Sequence, residues 1–153
     1  MASKISPADT TLQIKKTITA PREKVFQAWT DPKALTRWFA PSDDFATPLA
    51  EVEVRVGGKY RIQMKAPDGV LHTVNGVYRE VKPPEKLVFT WSWEPGGGSC
   101  GTPGYETLVT VEFHERGNST ELVLTHEGFI DSTERDKHNQ GWTGCLNRLP
   151  QGI

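Results

Sequence analysis

The sequence predicts an α+β fold, a curved antiparallel β-sheet of six to seven strands gripping a long C-terminal helix, with two short helices after the first strand. Three observations predict it. Helix-start signals come early, at Ala20-Pro21 and Asp31-Pro32, each followed by apolar residues at helical spacing. From Leu49 onward the apolar period shortens to 2, in segments separated by Gly, Pro and Asn turns. After Asp131 the spacing becomes helical again.

Each element has its own local reason. In Thr11 to Thr19, Leu12 and Ile14 lie two apart ahead of Ile18, with Lys15 and Lys16 between, the pattern of an edge strand. Pro21 suits a first helical position, where its missing N–H costs nothing, and Val25, Phe26 and Trp29 then share a face. Asp31 is the cap of a second helix whose stripe is Leu35, Trp38 and Phe39, and Pro41 ends it. Val52, Val54 and Val56 alternate with charged residues up to a Gly57-Gly58 turn, and Tyr60, Ile62 and Met64 alternate after it. Pro67-Asp68-Gly69 makes the next turn, Val70 to Val81 the next strand, and Pro83-Pro84 closes it.

Leu87, Phe89, Trp91 and Trp93 then line one strand face, and Glu94 to Gly104 is a long Gly-rich loop. Val109, Val111 and Phe113 define a further strand, Gly117-Asn118 a turn, and Leu122, Leu124 and His126 the inward face of the last strand. Asp131 and Glu134 have capping-box spacing at the start of a helix with His138, Trp142, Cys145 and Leu149 on one face, until Pro150 and Gly152 stop the pattern.

A chain of 153 residues is one domain, read as a polar tail over 1–10, a domain over 11–149 and a tail over 150–153. With 18 basic against 19 acidic side chains and no long run of one sign, nucleic acid is not expected as a partner. The opening MASKISPADT lacks the apolar core of a secretory signal, and no stretch is long and apolar enough to span a membrane, so a cytoplasmic location is expected. Cys100 and Cys145 lie in different settings, a Gly-rich loop and an amphipathic helix, and are expected to be free thiols. The 5 Trp, 6 Phe and 3 Tyr argue for a core or a cavity with large flat walls.

The segments APREKVFQAWTDPKALTRWFAP, VRVGGKYRIQM, YREVKPPEKLVFTWSW and HNQGWTGCLNRL, in that order, resemble the START-like, or helix-grip (SRPBCC), superfamily. The group they resemble most is named after the C-terminal domain of the activator of the heat-shock-protein-90 ATPase, and the resemblance spans roughly residues 11 to 149. It implies a seven-stranded-type sheet around the last helix, with a cavity used across the superfamily for lipids, sterols, polyketides and plant aromatics. One departure is visible: the last helix meets Pro150 soon after Leu149, where relatives often continue for another turn.

A meander curling around one long helix leaves gaps where side chains do not meet, and such gaps bind ligands. The candidate lining is Tyr60, Ile62, Met64, Phe89, Trp91, Trp93, Val109, Val111, Leu124, His126, His138, Trp142 and Cys145. The same rings also serve as ordinary sheet-to-helix core. His126 and His138 suit either an acid–base role or a structural one. No third ligand at metal-binding spacing accompanies His138 and Cys145, so no metal and no cofactor is expected. The run Gly96 to Gly101 lacks the order of a phosphate-binding loop, and no nucleophile elbow is present. The leading expectation is therefore a binding module for a small hydrophobic molecule, aromatic or lipid-like. Alternatives are a co-chaperone-like module with a chaperone partner, and an aromatase, cyclase or hydrolase using His126 or His138.

Overall fold

The computed structural model describes residues 9–96 and 103–153. Cys100 and most of the Gly-rich loop fall outside that range, as do residues 1–8. Strand β1 (Thr11–Ile18) leads into helices α1 (Arg22–Thr30) and α2 (Pro32–Trp38). Strands β2 (Ala46–Val52), β3 (Lys59–Lys65), β4 (Leu71–Lys82), β5 (Lys86–Trp93), β6 (Thr107–Arg116) and β7 (Ser119–Glu127) follow, and then helix α3 (Ser132–Arg148). The strands form one seven-stranded antiparallel sheet ordered β1-β7-β6-β5-β4-β3-β2. β1 lies at one edge, where its lysines are tolerated, and β2 at the other. The α1–α2 connection therefore carries the chain from one sheet edge to the other.

The caps show why the helices start where they do. Asp31 accepts the Lys33 N–H at 2.9 Å and Asp131 accepts the Glu134 N–H at 2.9 Å, each relieving an orphan donor of the first turn. Pro21 stands one position earlier than its sequence signal suggests. Its backbone is extended, φ −62° and ψ 150°, and its carbonyl accepts from Lys24 and Val25, so it is the cap and Arg22 the first helical residue.

Two boundaries also differ from the sequence reading. β2 ends at Val52, and Val56 is 65% exposed rather than inward. The chain leaves the β2–β3 pair after Glu53 pairs with Lys59; Gly57 and Gly58 then exchange hydrogen bonds with Tyr78 on β4. Alternation of Val with charge cannot distinguish a strand from a segment that peels away to a neighbouring strand. At the other end, the expected C-terminal tail is a 3-10 turn, Leu149–Gly152, packed on α2, with Leu149 and Gly152 buried.

The core lies between the concave sheet face and the helices. Trp38 is fully buried and its indole N–H donates to the Ala28 carbonyl at 2.8 Å, so its ring is buried without an unsatisfied donor. Trp29 from α1 stacks on Trp142 from α3 at 5.9 Å, and Phe113 from β6 packs edge-on to Phe26 at 5.3 Å. No helix among the described residues is long and apolar enough to cross a membrane.

Candidate functional site

Along α3, residues 137, 138, 141, 142 and 145 recur at helical spacing and form one wall of a cleft. Met64 on β3, its cross-strand partner His72 on β4, and Trp91 and Trp93 on β5 form the sheet side. Phe39, Pro41 and Phe45, from the segment that leaves α2, form the third side. The cleft has a free volume of about 70 Å³. Gly141 sits mid-helix on this wall, and a Cβ built there would meet nothing within 4 Å. Glycine costs a helix roughly 1 kcal/mol relative to alanine, so here the helix gives up stability where a side chain would occupy the cleft.

Behind the cleft two histidines are tied to two indoles. His138 Nδ1–H donates to the Glu134 carbonyl one turn earlier at 2.8 Å, which leaves Nε2 to accept the Trp93 indole N–H at 3.0 Å. His126 accepts the Trp142 indole N–H on Nδ1 at 3.0 Å, so its proton is on Nε2 and is donated to Thr107 Oγ1 at 2.6 Å. The Thr107 hydroxyl donates in turn to the Trp91 carbonyl at 3.3 Å. Burial pushes the His126 pKa well down, and the neighbouring His138 adds to that, with the rings 5.3 Å apart. Burial likewise lowers His138, against an opposing pull from the Glu134 carbonyl. Both rings are neutral hydrogen-bond bridges with every nitrogen engaged.

Two indoles differ from these. The N–H groups of Trp91 and Trp29 are buried with no hydrogen-bond partner, as is Nδ1 of His72 in the cleft wall. A buried donor left unsatisfied costs about 1–3 kcal/mol. Tyr60 is satisfied: its hydroxyl donates to the Thr90 carbonyl at 2.5 Å, and burial raises its pKa.

The thirteen residues marked in the sequence divide among three places. Met64, Trp91, Trp93, His138, Trp142 and Cys145 line the cleft. Tyr60, Ile62 and Phe89 surround, with Trp91, a separate space of only about 20 Å³. Val109, Val111, Leu124 and His126, on β6 and β7, have 0% exposure and are packed in the interior. Phe39, Pro41, Phe45, His72, Lys137 and Gly141 also line the cleft and were not marked. Two of these carry readable signals: the Pro67-Asp68-Gly69 turn sets His72 opposite Met64, and a glycine inside a helical pattern commonly has a packing or functional reason. Cys145 is buried, 6% exposed. Among the described residues no cluster of His, Cys, Asp and Glu could hold a metal ion.

Solved structures resemble the chain along nearly all its length. A crystal structure of a protein from Chromobacterium violaceum is 28% identical, with a TM-score of 0.77 over 92% of this chain and 94% of that one. The solution structure of an AHSA1-like protein from Aeromonas hydrophila is 26% identical, with a TM-score of 0.73 over 93% and 92%. An AHSA1 protein from Silicibacter pomeroyi shares the fold at 24% identity, with a TM-score of 0.77 over 91% and 94%. A search of curated proteins finds no match. The family model described as "Activator of Hsp90 ATPase homolog 1-like protein" matches residues 19–152, and the chain belongs to that family.

Proposed function

We propose that the protein binds a small hydrophobic molecule in the cleft between α3 and strands β3 to β5. The observation that carries this reading is Gly141: a mid-helix position kept free of a side chain, facing open space between aromatic walls. The driving force is removal of apolar surface from water, worth about 25 cal/mol per Å². The cleft's volume, about 70 Å³, is well below the roughly 300–1,000 Å³ of drug-sized sites. It admits an alkyl group or the edge of one ring, and a larger guest must displace half-buried Phe45 and exposed Lys137.

The test is a titration of tryptophan fluorescence with small aromatic and short-chain apolar compounds, for the unaltered protein and for Gly141→Leu. A Cβ at 141 meets nothing within 4 Å, so a leucine there adds apolar bulk to the cleft wall with no clash at its Cβ. The expected result is a saturable, competable change in the first and its loss in the second, with thermal stability retained. Absence of any saturable change across the panel, or equal binding by Gly141→Leu, removes the reading.

A further inference from the structure

We propose, resting on the cleft as a binding site, that the hydrogen bond between Trp93 and His138 is an acid-sensitive partition. Protonation of His138 breaks it and joins the cleft to a second apolar space, making one site for a guest of two rings. Trp91, Trp93 and His138 line both spaces. Their rings pack on one another, with 5.5 Å between the two indoles and 6.3 and 6.1 Å from these to the imidazole, so the three form the shared wall. Beyond it, Tyr105, Phe129, Ile130 and Glu134 complete the second space, whose free volume is about 20 Å³. Tyr105 and Ile130 are 40% and 44% exposed, so a guest entering there displaces side chains that already reach solvent.

The Trp93 indole N–H donates to His138 Nε2 at 3.0 Å, while Nδ1–H of the same imidazole is held by the Glu134 carbonyl at 2.8 Å. A proton from solvent therefore goes to Nε2. There it meets the indole N–H donor to donor, and an indole has no acceptor with which to answer it. Trp91 adds no bond to hold the wall, since its own N–H has no partner. Of the two buried histidines, His138 takes the proton first. His126 has no exposed surface, and burial together with His138 pushes its pKa well down. Burial also lowers His138, but the carbonyl and carboxylate of Glu134 pull against it, and Lys137 adds to the lowering. Glu134 and Lys137 on α3, His126 on β7 at 5.3 Å and Tyr105 ahead of β6 are the titratable groups around the ring, and β5 faces it with the uncharged Trp91 and Trp93. Glu134 Oε2 is buried without a partner, so a carboxylate oxygen one turn away favours the imidazolium.

The experiment uses ¹⁵N-labelled protein and two neutral compounds, benzyl alcohol with one ring and 4-biphenylmethanol with two. Without either, the Trp93 indole N–H resonance should move upfield between pH 7.5 and pH 5.0 together with the His138 ring signals, while the amide spectrum stays dispersed. 4-Biphenylmethanol should bind about fivefold more tightly at pH 5.0 than at pH 7.5, and benzyl alcohol equally at both. His138→Gln, whose amide oxygen accepts the Trp93 N–H and takes no proton, should keep the pH 7.5 affinities at pH 5.0. The partition is overturned by a His138 that stays neutral to pH 5.0, or by a Trp93 resonance that holds still as His138 titrates or moves only as the whole spectrum collapses. It is overturned equally by a pH response that persists in His138→Gln. A 4-biphenylmethanol affinity equal at both pH values, with benzyl alcohol still bound, overturns the partition and leaves the cleft a binding site. No saturable shift with either compound at either pH overturns both.

Discussion

Two successive turns of α3 meet the rest of the protein in opposite ways, and each contains one decisive glycine. In the later turn, a Cβ on Gly144 would lie closer than 3.0 Å to the carbonyl oxygen of Pro41, so only glycine lets the helix come this close. Leu146 and Leu149 beyond it have no exposed surface, Gly152 is held under the Trp38 ring, and Arg148 bonds Asp43 and the carbonyls of Arg37 and Trp38. One turn earlier, a Cβ on Gly141 would meet nothing within 4 Å. The same residue type serves contact in one place and vacancy in the other. One end of the grip secures the fold, which leaves the other end free to be incompletely packed.

The sharpest way to break this contrast is at the tight end. Gly144→Val should destabilise by about 4 kcal/mol, because backbone rather than a flexible side chain stands in the way, and a urea-denaturation midpoint close to that of the unaltered protein would show that the helix can simply lift. Next is the ring that ties α3 to β6: His126→Leu leaves the Trp142 indole N–H and Thr107 without their ring partner and should cost about 3 kcal/mol in the same measurement.

The third effect is on pH. His126 and His138 are held neutral by burial, so their folded-state pKa values lie below the ordinary value of about 6.5. Above that value the full stability is present. Below it the unfolded chain takes up protons that the fold refuses, so stability falls, by up to about 1.4 kcal/mol per pH unit for each ring. Unfolding midpoints at pH 7.5, 6.5 and 5.5 should drop slightly over the first interval and more over the last, and His126→Leu should flatten that drop. The smallest effect is at the loose end and has the opposite sign. Gly141→Ala should stabilise by about 0.5–1 kcal/mol through helix propensity, and a destabilised variant would mean that the space beside it is already needed.

Most of the fold was legible because its signals are local. Asp31 and Asp131 cap the helices as their positions suggest, Gly117-Asn118 turns β6 into β7, and the rings of β5 face inward as their alternation requires. Where the reading missed, the deciding partner lies far along the chain: Gly57 and Gly58 are drawn to Tyr78, and the last residues to Trp38. The site was legible in half. Period-2 alternation identifies Val109, Val111 and Leu124 as inward, but it cannot say whether a helix closes over them, as it does, or stands off, as it does at Met64. Phe45 and Pro41 reach the cleft from an irregular segment with no period to read.

The pairing of β1 with β7, from Thr11↔Glu127 to Ile18↔Thr120, has a consequence for how the chain is made. Synthesis delivers β1 first, yet its hydrogen-bonding neighbour emerges more than 100 residues later, as the pairing of Ile18 with Thr120 shows. Until then the strand's backbone groups are unanswered, and closing so long a loop is slow compared with forming the hairpins in between. The lysines at 15 and 16 keep that waiting edge charged, a guard against its pairing with another unfinished chain.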